Sequence, residues 1–215
     1  MRLYDKNEMV KAGCNDCKGC SDCCRGMGDT ILLDPLDCVR LSEGFHKSFE
    51  ELLETTIALH VEDGLILPHM QMTDANGQCV CLNEEGRCSI HAFRPGLCRL
   101  FPLGRNYEVG KLKYFLLEDC PAKNKTKVKI EKWLQVPELS KYETYLTDWH
   151  YLLKDFREKA TELQSAQGEE ADVAQETLKK LNMLLLQVFY ISPYNAGVDF
   201  YGQFHERLER VRSMF

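Results

Sequence analysis

Every one of this chain's eleven cysteines falls between Cys14 and Cys120, and the last 95 of its 215 residues hold none. The first cluster reads Cys14-Asn-Asp-Cys17-Lys-Gly-Cys20-Ser-Asp-Cys23-Cys24. The second comprises Cys79, Cys81, Cys88 and Cys98; Cys120-Pro121 follows, and Cys38 stands alone. Two residues between cysteines is the spacing at which a tight turn aims both sulfurs at one centre, in zinc ribbons and iron–sulfur loops alike. A disulfide framework suits an oxidising compartment and an even cysteine count. Here the count is odd, and residues 1–13 are charged and lack the apolar core of a secretory signal, so reduced thiols in a cytoplasmic setting are expected. Small apolar packing explains Cys38 but not a polar, glycine-bearing run. The clusters therefore read as metal ligands.

Composition divides the chain at the same place. Residues 1–122 hold eleven of the 14 glycines and five of the seven prolines, with 13 basic and 19 acidic side chains. Residues 123–215 carry 14 of each sign, so the net charge of −6 belongs to the first region. We expect two units: a cysteine-cluster metal-binding module over 1–122 and a helical region over 123–215 packed on it. An acidic module lacks the footprint of phosphate recognition, which argues against nucleic acid. The one basic run, Lys123, Lys125, Lys127, Lys129 and Lys132, reads as a solvated linker and helix start. The longest apolar stretch, Met183 to Ile191, is broken by Gln187 and falls short of the ~20 residues a bilayer needs, so no membrane partner is expected.

Hydrophobic periodicity places the elements. Thr30 to Leu33 reads as a strand, and Asp34-Pro35 starts a helix through Leu36, Val39 and Leu41. A second helix is expected over Ser48 to His60, an extended run over Leu65 to Met72, and a turn at Asn76-Gly77. Leu100–Tyr107 and Leu112–Leu117, around a turn with Gly110, read as a hairpin. After Pro137 the period becomes 3.6: Leu139, Tyr142, Tyr145, Leu146, Trp149, Leu152, Leu153 and Phe156 form one stripe. Helices over Val173 to Tyr190 and Val198 to Met214 follow. The fold class is α+β: an irregular cysteine-rich module with short strands, followed by a C-terminal helical region.

The metal is harder to read than its ligands. Cys14, Cys17, Cys20 and Cys24 have ferredoxin-loop spacing, but Arg25 stands where that loop has proline and no second run exists. In extended backbone the adjacent Cys23 and Cys24 point to opposite sides, so either one is a bystander or the pair bridges two centres. Two four-thiolate sites, one cluster plus one zinc, or one polynuclear iron centre would all use the thiols.

Cys17-x2-Cys20-x2-Cys23-Cys24, then Ile31-Leu32-Leu33 with Asp37 beyond, Cys81-Leu, Gly86-Arg-Cys88-Ser-Ile, Arg94-Pro95, Cys98-Arg99 and Phe101-Pro102 together resemble the CxxCxxCC (YkgJ-type) cysteine-cluster family. The likeness covers about residues 14–121 and implies a zinc- or iron-chelating domain. Cys120-Pro121 fits a later cysteine of that family. On this basis the expected metal ligands are Cys17, Cys20, Cys23, Cys24, Cys81, Cys88, Cys98 and Cys120. Cys14 and Cys79 are additions to the pattern. His91 stands where members commonly have tyrosine; it is either a ligand or a hydrogen-bonding surface residue. Arg94 and Arg99 are expected beside the cofactor, offsetting thiolate charge through N–H···S contacts or holding a substrate carboxylate.

A more distant resemblance, to flagellin lysine N-methylase, implies an iron–sulfur centre and a methylase-like reaction. No glycine-rich nucleotide loop, G-x-S-x-G elbow or H-E-x-x-H motif is present. His60 and His69 are candidate acid–base groups, or simply polar residues of an extended stretch. Two functions stay open. One is an iron-dependent enzyme, its iron–sulfur cluster or polynuclear iron under a helical lid, acting on a peptide, protein or small molecule. The other is a non-catalytic module, either a zinc-stabilised scaffold or an iron–sulfur electron carrier.

Overall fold

The computed structural model describes residues 1–13, 20–73, 77–108, 111–168 and 170–214. It is an α+β fold of short antiparallel strand pairs and a C-terminal set of helices. Helix α1, Pro35–Phe45, begins with a reciprocal cap: the Asp34 side chain accepts from Asp37 N–H, and the Asp37 side chain accepts from Asp34 N–H. Proline at the first helical position adds to the start signal, and His46 in left-handed conformation (φ 55°) ends the helix.

The helix expected over Ser48 to His60 is corrected. Helix α2 covers only Phe49–Leu53, and strand β2 runs Ile57–Glu62. The β-branched run Thr55-Thr56-Ile57 favours extension. Asp63 and Gly64, both at positive φ (50° and 81°), then reverse the chain into β3, Leu65–Met70. Asp-Gly is a hairpin turn signal of the strongest kind, and it outweighs the helical spacing before it. The two strands pair in register from Ile57↔Met70 to Glu62↔Leu65. Leu33 N–H donates to Pro68 O and Met70 N–H to Ile31 O, which lays the expected Thr30–Leu33 extension along β3.

Helix α3, Gly96–Leu100, leads into the hairpin of β4, Leu103–Glu108, and β5, Lys111–Leu116, as expected. Gly110 and Asn76 lie outside the described residues. The lysine run gives a second correction. Lys127 and Lys129 belong to strand β6, Thr126–Lys129, which pairs antiparallel with β1, Met9–Gly13. Alternation decides this, because Val10, Ala12 and Val128 face inward while Met9, Lys11, Lys127 and Lys129 face water. The ribbon thus joins residues on either side of position 122.

After α4, Ile130–Leu134, the helical stripe forms α5, Leu139–Gln164, burying Tyr142, Tyr145, Leu146, Trp149, Leu152, Leu153 and Phe156. Helix α6, Glu170–Leu186, runs into a π-helical turn, Gln187–Ile191, and α7 spans Phe200–Arg212. The main core packs α5, α6 and α7 against α1 and the β2–β3 hairpin. A smaller core of Val10, Ala12, Leu100, Leu103, Tyr114, Ile130 and Leu134 lies under the β1–β6 ribbon. Among the described residues, no helix is long and apolar enough to cross a membrane.

One side chain on α6 stitches the helices to the hairpin. Asn182, 6% exposed, accepts from Ile66 N–H (2.6 Å) and donates to Gly64 O (3.1 Å). Asn182→Ala strands both backbone groups, so it should lower stability by about 1–3 kcal/mol. Chemical denaturation of the purified variant measures it.

Candidate metal centre

The thiols meet because the backbone laces three stretches together. Cys23 and Cys24 sit in a 3-10 turn, Asp22–Cys24. Immediately after it, Arg25 bridges to Gln78, Gly26 N–H donates to Gly77 O (2.7 Å), and Cys79 N–H donates to Cys24 O (2.8 Å). This short ladder draws the second cysteine cluster against the first. Cys81 is tied to Cys88's stretch by Ser89, whose N–H and Oγ–H both donate to Cys81 O at 2.9 and 3.0 Å. Cys98 rides on α3, and the first amide of that helix, Gly96 N–H, donates to Asp37 Oδ1 at 2.7 Å.

These stretches enclose a cavity of about 70 Å³ lined by Cys20, Cys23, Cys24, Cys79, Cys88 and Cys98. Ile31, Met70, Met72, Ile90, Phe101 and Trp133 give it apolar walls, and Arg87, His91 and Arg94 bring polar heads to it. Cys81 is buried outside this lining, its thiol hydrogen-bonded to that of Cys79. The expectation that Cys23 and Cys24 point apart is corrected. The 3-10 turn, unlike extended backbone, lets the two thiols hydrogen-bond to each other and line one cavity. Cys120 is half-buried and stands outside this lining, its carbonyl accepting from Lys125 Nζ (2.8 Å). Cys14 and Cys17 lie outside the described residues, and Cys38 is buried on α1.

Each hydrogen-bonded thiol pair splits its acidity. The Cys24 thiol steadies a thiolate at Cys23, which together with the Arg94 charge brings Cys23 down to about 7. Cys24, as donor and half-buried beside other thiols, is raised. Cys79 likewise falls to about 7 through its bond with Cys81, which is raised. Burial raises Cys88 and Cys98. The cavity thus carries two thiols near ionisation and others that need a cation to lose their protons.

The two arginines play different parts. Arg94 lines the cavity, hydrogen-bonds through Nη1 to His91 Nε2 (2.5 Å), and keeps a buried Nε without a partner. Arg99 is buried outside the lining; its Nε donates to Arg94 O (3.0 Å) and its Nη2 to Ala92 O (2.5 Å), pinning the loop before α3. Among the described residues, no three His, Cys, Asp or Glu side chains stand as a preset ligand set. The chemistry nevertheless fits a thiophilic cation: converging thiols, and an orphaned guanidinium donor of the kind that an anionic metal–thiolate group satisfies. Cys20, Cys23, Cys24, Cys79, Cys88 and Cys98 would hold it. His60 and His69 lie elsewhere, with rings 5.2 Å apart on the β2–β3 hairpin.

The support beneath the cavity was not assigned a role from the sequence. Asp34 and Asp37 are buried together; Tyr145 OH donates to Asp34 Oδ1 (2.9 Å) and accepts from Leu36 N–H (3.1 Å). Gly96 is required at the contact with Asp37, because a Cβ there would stand 2.3 Å from the Tyr142 hydroxyl. The Asp34-x-x-Asp37 spacing is the signal that points to this cap.

A family model agrees with the geometry. The CxxCxxCC family, described as a "putative zinc- or iron-chelating domain", matches residues 16–120. No curated protein and no solved structure gives a significant match.

Burial, then repulsion from Asp34, pushes Asp37 up to about 7 against the opposing charges of Arg40 and Arg105. Between about pH 4 and 7 the folded Asp37 keeps a proton that the unfolded chain has lost. Stability from this group is therefore full below that window and falls as pH rises through it, by up to about 1.4 kcal/mol per pH unit. Urea midpoints across the window should fall more steeply in the wild type than in Asp37→Asn; parallel slopes would refute the buried proton.

Proposed function

We propose that the module holds a cysteine-ligated polynuclear iron centre, with an iron–sulfur cluster as its leading form. The observation that carries this is six thiols from two separate sequence clusters around one cavity of about 70 Å³. A tetrahedral zinc site uses four ligands, so the excess supports more than one metal ion. Iron–sulfur clusters take thiolates in fours and are tuned by hydrogen bonds to their sulfurs, which Arg94 is placed to supply. When bound, such a centre supplies one-electron redox chemistry; the chain's own residues exclude water, offset thiolate charge and fix the thiols. Ordinary small-molecule sites measure about 300–1,000 Å³, so this cavity suits a metal centre and a ligand of a few atoms. A methylase-like reaction on a peptide rests on the flagellin-methylase resemblance and needs a substrate surface beyond this small cavity.

The zinc-stabilised scaffold has its own support. Between Gln71 and Pro95 the described backbone has isolated bridges and one 3-10 turn in place of strands or α-helices. Thiol ligation at the centre of such a stretch would hold it folded.

Anaerobic purification with an absorption spectrum and iron, zinc and acid-labile sulfide analysis decides between them. Brown protein with iron and sulfide supports the cluster, iron without sulfide supports thiolate-bound iron, and colourless protein with stoichiometric zinc overturns the iron reading. Cys98→Ser should lower the metal content of the purified protein, whereas Cys38→Ala, buried away from the cavity, should leave it unchanged.

A further inference from the structure

His91 lies in the 3-10 turn His91–Phe93, between the last thiol of the Cys79–Cys88 group and the helix that carries Cys98. A guanidinium has donors only, so the contact between Arg94 Nη1 and His91 Nε2 makes that ring nitrogen the acceptor. The Nε2 lone pair is therefore spent on Arg94 and does not face a metal. Arg94 lines the cavity beside the thiols and keeps a buried Nε that has no partner, and its charge acts on both Cys23 and Cys88. Arg99 fixes the backbone of the same turn through Ala92 O and Arg94 O, so the Arg94 main chain is held and its side chain is left for His91 to aim.

We propose that His91 is the positioning residue of the thiol cavity: by accepting from Arg94 it holds the guanidinium against the thiolates, where N–H···S donation withdraws charge from the sulfurs and sets the electronic state of the bound metal. The proposal rests on the metal-centre reading above. It assigns His91 no ligand role, and it gives Arg94 the task of tuning the centre in place of holding a substrate carboxylate. Glutamine can replace the imidazole in this role, because its Oε1 reaches the place of Nε2 and accepts the same bond. Leucine cannot.

The test uses the full chain loaded with cobalt(II), whose thiolate-to-metal charge-transfer bands report the donor strength of the sulfurs whichever metal is native. Losing the guanidinium contact makes the thiolates stronger donors and moves these bands to lower energy. Arg94→Gln and His91→Leu should give the same shift, the double variant no further shift, and His91→Gln the wild-type spectrum. His91→Leu at the wild-type position beside a shifted Arg94→Gln would overturn the proposal, as would additive shifts in the double variant. His91→Gln shifted as far as His91→Leu would also overturn it, and it keeps the test decisive if the leucine variant fails to fold. A wild-type chain that takes up cobalt without any thiolate band would instead overturn the metal-centre reading itself.

Discussion

The hydrogen bond from Gly96 N–H to the buried Asp37 carboxylate is the hinge on which the site depends. On one side of it stands the helical core: Asp37 and Asp34 cap α1, and Tyr145 of α5 reaches Asp34. On the other side stands α3 with Cys98. A stretch held by turns and isolated bridges needs a fixed frame if its thiols are to sit within the few tenths of an ångström that metal ligation demands. It borrows that precision from a helix start locked in an apolar core. The same carboxyl is costly to bury as a charge, and the pull of Arg40 and Arg105 offsets only part of that cost; it becomes useful because its oxygens are met by backbone amides.

Electrostatics explains why the cavity tolerates so many thiols. Paired S–H···S contacts let one member of each pair ionise while the other keeps its proton, so the walls carry limited charge until a cation arrives. The apolar lining from Met70, Met72, Ile31 and Ile90 keeps the local dielectric low and the thiols mostly neutral. A cation entering such a space meets strong donors and little water.

Much of this was legible in the residues. The stripe from Leu139 to Phe156 has a single good reading at period 3.6, and α5 follows it. Cysteine spacing pointed to ligation because few other pressures place thiols in steps of three. Where patterns conflicted, reading by period failed. Phe49 to Ile57 fits a helix face, yet Asp63-Gly64 demanded a hairpin and β2 won. The lysines from 125 to 129 hid a strand, because Val128 alone marks the buried side and its partner Val10 lies far off in the chain. The methionines that wall the cavity depend on contacts between distant turns that no local pattern encodes, whereas the pairing of His91 with Arg94 is a contact within one turn that spacing alone does not single out.

The β1–β6 ribbon has a further consequence. It joins Met9 to Lys129 and Gly13 to Thr126, so the whole cysteine-bearing stretch is a loop closed at its base by strand pairing and by the small core beneath it. Loop closure costs entropy that grows with the logarithm of length, and here the clasp meets that cost without any thiol. Ligation is left with a local task, ordering turns whose ends are already near one another. A chain built this way can gain or lose a metal while the ribbon and the helical region keep their places.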